Sequence, residues 1–316
     1  MDIVKNFSQI DKADVAVAGG KGASLGEMTK AGIVVPPGFV VLASAFEQFL
    51  AQSGIDVEIE AALHKVNHQD INSVEKVSAE IRALISTADF PEDIAKEVQH
   101  HYKNLGAHFV AVRSSATAED SSTASWAGEL ESYLNTTEDN LLETIKKCWS
   151  SLFTPRAIFY RIEKELHNTK VSVAVVVQKM IQSEVSGICF TVHPVTEDSD
   201  QMVIEAGYGL GEAIVGGMIT PDTYVIHKTK REIMECYISQ QEMMITKRDG
   251  VTEEVPVEKS EQEKQKLSNQ YILELADLCL KIESHYGFPC DIEWALEGGE
   301  LYITQSRPIT TLTEEK

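Results

Sequence analysis

Positive charge is what this 316-residue sequence most lacks: 28 Lys+Arg stand against 49 Asp+Glu, a formal net charge of −21. So negative a chain repels nucleic-acid backbones, and no Lys/Arg-dense run offsets the repulsion, so no nucleic-acid partner is expected. Anionic membrane surfaces are disfavoured for the same reason. An anionic small ligand stays compatible with the charge, provided a local basic cluster or a metal ion receives it. Cysteine is also scarce. Its five positions, Cys148, Cys189, Cys236, Cys279 and Cys290, are odd in number and include no C-x-x-C pair. That excludes a disulfide framework and a zinc site, and predicts reduced, mostly buried thiols. Long apolar runs are missing; stretches such as Val173 to Val177 are far too short to span a bilayer. The N-terminus Met1-Asp2-Ile3-Val4-Lys5 carries no signal-peptide pattern. Together these absences predict a cytoplasmic protein with no membrane partner.

What is present is globular: 43% hydrophobic and 24% charged residues. At ~150 residues per domain, the length points to two domains or lobes. The first half reads as mostly helical. Helices are expected over Ala45–Leu50, Val57–Val66, Ser73–Ser86, Pro91–Tyr102, Leu141–Phe153 and Pro155–Leu166, with a short strand at His108–Val112. The second half turns to strands, at Ser172–Ile181, Gly187–Val192, Gln201–Glu205, Thr223–His227, Glu232–Ile238 and Gln241–Thr246. One helix, from Ser260 to His285, interrupts them before a closing hairpin at Glu297-Gly298-Gly299-Glu300. The pattern is α+β (or α/β), with an N-terminal lobe over 1–183 and a C-terminal lobe over 184–316. A cleft between lobes is the default ligand site.

Three stretches carry chemistry. In Gly19-Gly20-Lys21-Gly22-Ala23-Ser24-Leu25-Gly26, glycines let backbone N–H groups approach an anion, a helix beginning near Ala23 aims its positive end there, and Lys21 adds a charge. It is not a P-loop, since Gly22 stands where Ser or Thr is required. The plain alternative is a turn with a solvated lysine. In Arg113-Ser114-Ser115-Ala116-Thr117, a strand delivers an arginine to a hydroxyl-rich loop, an arrangement suited to phosphate. The alternative pairs Arg113 with Glu119 or Asp120. In the C-terminal hairpin, Asp291 and Glu293 alternate onto one face, as do Gln305 and Arg307. A two-residue turn at Gly298-Gly299 would set Glu293 opposite Thr304. A three-residue loop centred on Gly299 sets Glu293 opposite Gln305 and Asp291 opposite Arg307, gathering four polar groups on one face, and is preferred. A carboxylate beside an amide oxygen offers Mg²⁺ two hard ligands; the alternative is an exposed polar face. Glu205-Ala206-Gly207-Tyr208-Gly209-Leu210-Gly211-Glu212 lacks G-x-G-x-x-G spacing and reads as a tight turn.

These words stand with Val35-Pro36-Pro37-Gly38-Phe39, Ala127-Gly128, Tyr133-Leu134-Asn135, Gln178-Lys179-Met180, Gly187-Ile188-Cys189-Phe190-Thr191, Asp291-Ile292-Glu293-Trp294 and Gln305-Ser306-Arg307-Pro308. In that order, the set resembles the N-terminal ATP-binding region of phosphoenolpyruvate synthase, pyruvate phosphate dikinase and rifampicin phosphotransferase. The resemblance covers essentially the whole chain. It implies a two-lobed, ATP-grasp-like fold clamping MgATP. It also implies a reaction in which a pyrophosphoryl or phosphoryl group passes to a histidine on a swivelling domain. Carried over by position, Lys21, Arg113 and Arg307 would hold the triphosphate and serve catalysis. Glu293 and Gln305 would ligate Mg²⁺, Gly128 and Ser132 would lie in a lid loop, and Gln178 and Met180 would mark the strand that reads adenine. Glu129-Leu130 stands in that lid where the family pattern favours neutral polar residues. No histidine here has the acceptor's context, so the acceptor domain is expected in trans or in a longer parent chain. The alternatives are a nucleotide-sensing or partner-binding module without transferase activity, and a self-contained ligase of small carboxylates.

Overall fold

The computed structural model describes residues 2–67, 69–117, 131–163, 172–248, 250–310 and 312. By contacts the chain divides into two units: Met1–Glu27 with Pro37–Met180, and Met28–Pro36 with Ile181–Lys316. Among the described residues every strand pairing is antiparallel, and the fold is α+β.

In the first unit, β1 (Val4–Asn6), β2 (Gly38–Val41), β3 (Val110–Ala116), β4 (Ser132–Thr136) and β5 (Val173–Lys179) form one sheet in the order β1-β2-β5-β3-β4. The β-branched run of β5 suits its central place, where both faces are covered. Val173, Val175 and Val177 join Phe39, Val41, Val110 and Val112 on one face, above the principal core. The helices α2 (Ala43–Ser53), α3 (Asp56–His64), α4 (Ile71–Thr87), α5 (Glu92–Leu105) and α6 (Leu141–Ser151) supply the rest of that core, and α7 (Pro155–Glu163) adds Ala157. Trp149 sits at its centre with Phe49 at 4.8 Å, Phe90 at 5.4 Å and Phe46 at 5.7 Å between ring centroids. Such pairs add about 0.5–1.5 kcal/mol each beyond the area they bury. The 3–4 spacing in α4 places Val74, Val77, Ile81 and Ile85 inside, and Asp70 caps it by accepting the Asn72 N–H (3.0 Å). Against the opposite face of the sheet lies α1 (Val15–Lys30), whose Gly22 faces Val40.

In the second unit, β6 (Val185–Phe190), β7 (Gln201–Tyr208), β8 (Asp222–His227), β9 (Glu232–Tyr237), β12 (Cys290–Glu297) and β13 (Glu300–Pro308) form a sheet in the order β13-β12-β6-β7-β8-β9. A separate hairpin joins β10 (Met243–Arg248) to β11 (Val251–Pro256), and α8 (Glu212–Val215) is a single turn. The helix α9 (Asn269–Tyr286) packs on β7, β9 and β12, with Cys279 beside Cys189. The segment Met28–Pro36 lies along the edge strand β13: the Ile303 N–H donates to Val34 O (2.9 Å) and Lys281 Nζ to Gly32 O (3.3 Å).

Two expectations fail here for identifiable reasons. The helix expected from Ser260 begins only at Asn269, because Ser268 is its N-cap and accepts the Tyr271 N–H (3.4 Å). The preceding turns are held by Lys266, whose ammonium lies 2.9 Å from Asp222 with both side chains fully buried. Asp222 also accepts the Ser239 and Lys266 N–H groups and the Tyr224 hydroxyl. So dense a network satisfies a buried charge pair that would otherwise be costly. Second, β1, β2, β4 and β11 have no counterpart in the sequence expectations. β1 and β2, of three and four residues, are too short for alternation to show. The helix expected over Pro155–Leu166 is described only through Glu163; its last residues lie outside the described set.

Candidate functional site

The first cluster is built on the face of the five-stranded sheet opposite its main core. Register places Arg113 of β3 opposite Val176 of β5 and Ser132 of β4, while Ala111 lies opposite Gln178. Directly opposed residues and their i+2 neighbours share a face, so Arg113, Ser115, Ser132 and Gln178 lie on one side. The strand does not end at Arg113 as the hydroxyl-rich loop implied; β3 runs on to Ala116, and the two serines therefore part company. Ser114 points into the core, its hydroxyl 2.8 Å from Ser151 Oγ and 3.2 Å from Cys148 O. Ser115, fully buried, points the other way, into the glycine-rich segment. Its hydroxyl donates to Ala18 O (3.0 Å) and accepts the Gly22 N–H (3.3 Å).

That segment is a broken helix. Gly19 at φ 69°, ψ 172° interrupts α1 in a conformation essentially reserved for glycine. A Cβ on it would come within 2.2 Å of Ser115 Oγ and 2.4 Å of Ser115 O. Helical conformation resumes at Gly20, three residues before the expected start at Ala23, so Lys21 stands in a first helical turn. The half-buried Lys21 is close enough to α6 to act on Cys148. Burial pushes that thiol up to about 12, Glu131 pushes the same way, and the Ser114 hydrogen bond and the Lys21 charge pull it down. Glu131 itself accepts from Arg82 (3.4 Å) and from the Tyr133 hydroxyl. At the end of β5, Gln178 is only 2% exposed. The Lys179 N–H donates to Pro37 O (2.8 Å) and the Met180 N–H to Phe109 O (3.0 Å). Those two donors are committed within the protein. Gly128, Glu129 and Leu130 lie outside the described residues, as do Glu119 and Asp120; Ser132 is described and exposed.

The second cluster is the β12–β13 hairpin. Glu293 is opposite Gln305 and Asp291 opposite Arg307, the expected register at the polar end. The means differ. Glu297 pairs with Glu300, so the turn has two residues, Gly298 and Gly299, both at positive φ (58° and 82°) as a type I′ turn requires. The register shifts by one between Glu293 and Trp294, where Thr304 is the extra residue of a β-bulge. The bulge lets Leu301 and Ile303 face the core and still brings Gln305 and Arg307 out beside Glu293 and Asp291. The Arg307 Nε–H and Nη2–H both donate to Asp291 Oδ2, at 2.9 and 2.7 Å. The register continues across the sheet through Ile188 to Glu205. Burial raises the Glu205 carboxyl above its ordinary range, and the Asp291 charge adds to the shift.

The family described as pyruvate phosphate dikinase, AMP/ATP-binding domain, matches residues 15–316. The chain belongs to that family. It is 48% identical to the probable phosphoenolpyruvate synthase of Archaeoglobus fulgidus, over 98% of its own length and 42% of that protein. It is 40% identical to the phosphoenolpyruvate synthase of Pyrococcus furiosus, over 99% and 44% respectively. The rifampicin phosphotransferase of Bacillus cereus is also 40% identical, over 98% of this chain and 36% of that one. The chain thus spans less than half the length of these relatives. A solved structure, the D-alanine-D-alanine ligase of Helicobacter pylori, is similar at a TM-score of 0.32 and 12% identity over 74% of this chain and 53% of that one, too faint a likeness to carry an argument.

For this member of the pyruvate phosphate dikinase AMP/ATP-binding family, the donor chemistry of the hairpin fits Mg²⁺. Glu293 and Gln305 are direct cross-strand neighbours, whose Cβ atoms stand about 5 Å apart. One carboxylate and one amide oxygen leave most of the octahedral shell to phosphate and water, as Mg²⁺ prefers. Among the described residues no group of three or more His, Cys, Asp or Glu is placed to hold a metal. Among them, too, no helix is long and apolar enough to cross a membrane. Sequence reasoning passed over Ser115 and Glu205. Neither position declares its partner without the sheet register.

Proposed function

We propose that this chain binds MgATP and starts a dikinase-type phosphotransfer, passing a pyrophosphoryl or phosphoryl group to a histidine borne on a separate domain. Lys21, Arg113 and Arg307 would take the triphosphate oxygens, Glu293 and Gln305 would hold Mg²⁺, and Gly128 and Ser132 would cover the phosphates. Gln178 and the carbonyls near Met180 would meet adenine. Bound Mg²⁺ supplies charge neutralisation on the phosphates. The protein's own part is positioning and electrostatic stabilisation, which dominate phosphoryl transfer. The observation that carries the reading is the hairpin, where a carboxylate–amide pair adjoins a guanidinium held in place by Asp291. That combination suits a metal-bound phosphate. The names of the relatives, phosphoenolpyruvate synthase and rifampicin phosphotransferase, support a phosphotransferase.

Calorimetry with ATP, AMP and GTP, with and without Mg²⁺, tests it. Saturable binding that needs Mg²⁺ and prefers ATP is expected. Glu293→Ala together with Gln305→Ala is expected to abolish the Mg²⁺ dependence, and Arg113→Ala to weaken ATP roughly 10- to 100-fold, the size of a lost charge-assisted hydrogen bond. Undiminished Mg²⁺-dependent binding in the double variant would remove the hairpin from the site.

A further inference from the structure

We infer that Ser115 is a positioning residue that sets Lys21 relative to Arg113, and so tunes the chain's grip on the β- and γ-phosphates while leaving nucleoside monophosphate binding alone. The inference rests on the nucleotide-site reading above.

Its basis is a set of contacts within the first unit. Ser115 lies two residues beyond Arg113 on the same face of β3, so one rigid strand carries both. Its hydroxyl is fully buried and is used on both sides, donating to Ala18 O and accepting from the Gly22 N–H. Those two backbone groups bracket Lys21 and the Gly19 break. The break has little tolerance, because the space a Cβ would fill at Gly19 is already occupied by Ser115. The glycine-rich segment is therefore seated on the strand through one side chain, at the point where its helix restarts.

A hydroxyl serves this task because it is donor and acceptor at once. Alanine would leave a buried N–H and a buried carbonyl without that partner, and the segment would shift to satisfy them. The displacement falls on Lys21. A misplacement of about 1 Å in a phosphate-positioning group is enough to cost a large factor in binding or rate. AMP, which lacks the outer phosphates, is insensitive to where Lys21 stands.

The test is a double-mutant cycle of Ser115→Ala and Lys21→Ala, read as MgATP and AMP affinities by calorimetry. Ser115→Ala is expected to weaken MgATP about tenfold and AMP by less than about twofold, and to add nothing in the Lys21→Ala background. Ser115→Cys keeps a side-chain donor, though a poorer and somewhat larger one, and is expected to reproduce the ATP-selective loss in milder form; it carries the test should the alanine variant not fold. Equal losses for ATP and AMP, or a full additional loss in the Lys21→Ala background, would overturn the positioning role. So would a cysteine variant with wild-type ATP affinity. Lys21→Ala binding ATP as tightly as wild type would instead overturn the site reading itself, so the two failures are distinguishable.

Discussion

At the scale of single residues, two positions show how local chemistry and global fold interlock. Gly19 adopts φ 69°, ψ 172° against the Ser115 backbone. Gly19→Ala meets both a forbidden conformation and a steric clash, and is expected to destabilise the first unit by about 3 kcal/mol, seen as a lower urea midpoint. Glu205 gives a signed pH prediction. Its folded-state carboxyl is raised by burial and by Asp291, so the ionised form is disfavoured in the native state. Stability is then greatest below its ordinary value of 4.5 and declines as pH rises through the folded-state value. Glu205→Gln is expected to raise the melting temperature at pH 7–8 relative to wild type, with the gain gone by about pH 4. A variant less stable at pH 7 would show that the carboxylate is satisfied where it stands. Lys21, Arg113, Glu293, Gln305 and Arg307 stand out in the sequence as candidates, as residue types set in recognisable words. Ser115 does not, because its meaning lies in a partner 93 positions away.

At the scale of elements, the β12–β13 hairpin separates what a pattern can reveal from what it cannot. Alternation correctly put Glu293 with Gln305, since only that register keeps the polar and apolar sets apart. It assigned the extra residue to the turn, whereas the chain places it at Thr304. Two consecutive glycines at positive φ make a tight I′ turn fully adequate, and the bulge takes up the odd residue next to the polar end. Deleting Thr304 is therefore expected to force a choice. Either Gln305 and Arg307 rotate toward the core, or Leu301 and Ile303 rotate out. Loss of Mg²⁺-dependent ATP binding with a markedly lower unfolding midpoint is the expected outcome. Retention of both would mean that the bulge is incidental. The late start of α9 teaches the complementary lesson. Helical periodicity extended upstream of Ser268, but the buried Lys266–Asp222 pair fixes that segment as turns, and a pairing between residues 44 apart leaves no local trace.

At the scale of the whole molecule, a net charge of −21 limits the ways a polyphosphate can be received. Lys21, Arg113 and Arg307 are the cations proposed to receive it. Remote carboxylates are screened beyond about 8 Å at physiological ionic strength, whereas half-buried cations keep their effect. The relatives are more than twice as long as this chain, and the reading proposed above puts the acceptor histidine on a separate domain. The chain on its own is expected to bind MgATP without steady release of AMP, measured by chromatography of the nucleotide pool. AMP release is expected to begin when a polypeptide bearing the acceptor histidine is added. Steady AMP formation by this chain alone would overturn the partial-reaction reading. The α+β class was readable from composition and period. That Met28–Pro36 goes with the second unit was not, because its tie is backbone hydrogen bonding to β13, which any sequence can make.

The bulge at Thr304 also gives the hairpin a parity. Upstream of it, odd-numbered residues of β13 face inward; downstream, odd-numbered residues face out. A chimera that exchanges this hairpin with that of a relative must therefore carry the extra residue together with whichever polar end it imports. A junction cut anywhere from Ile303 to Gln305 without that count preserved would deliver the same amino acids to the wrong side of the sheet, and alignment by identity alone would not reveal the error.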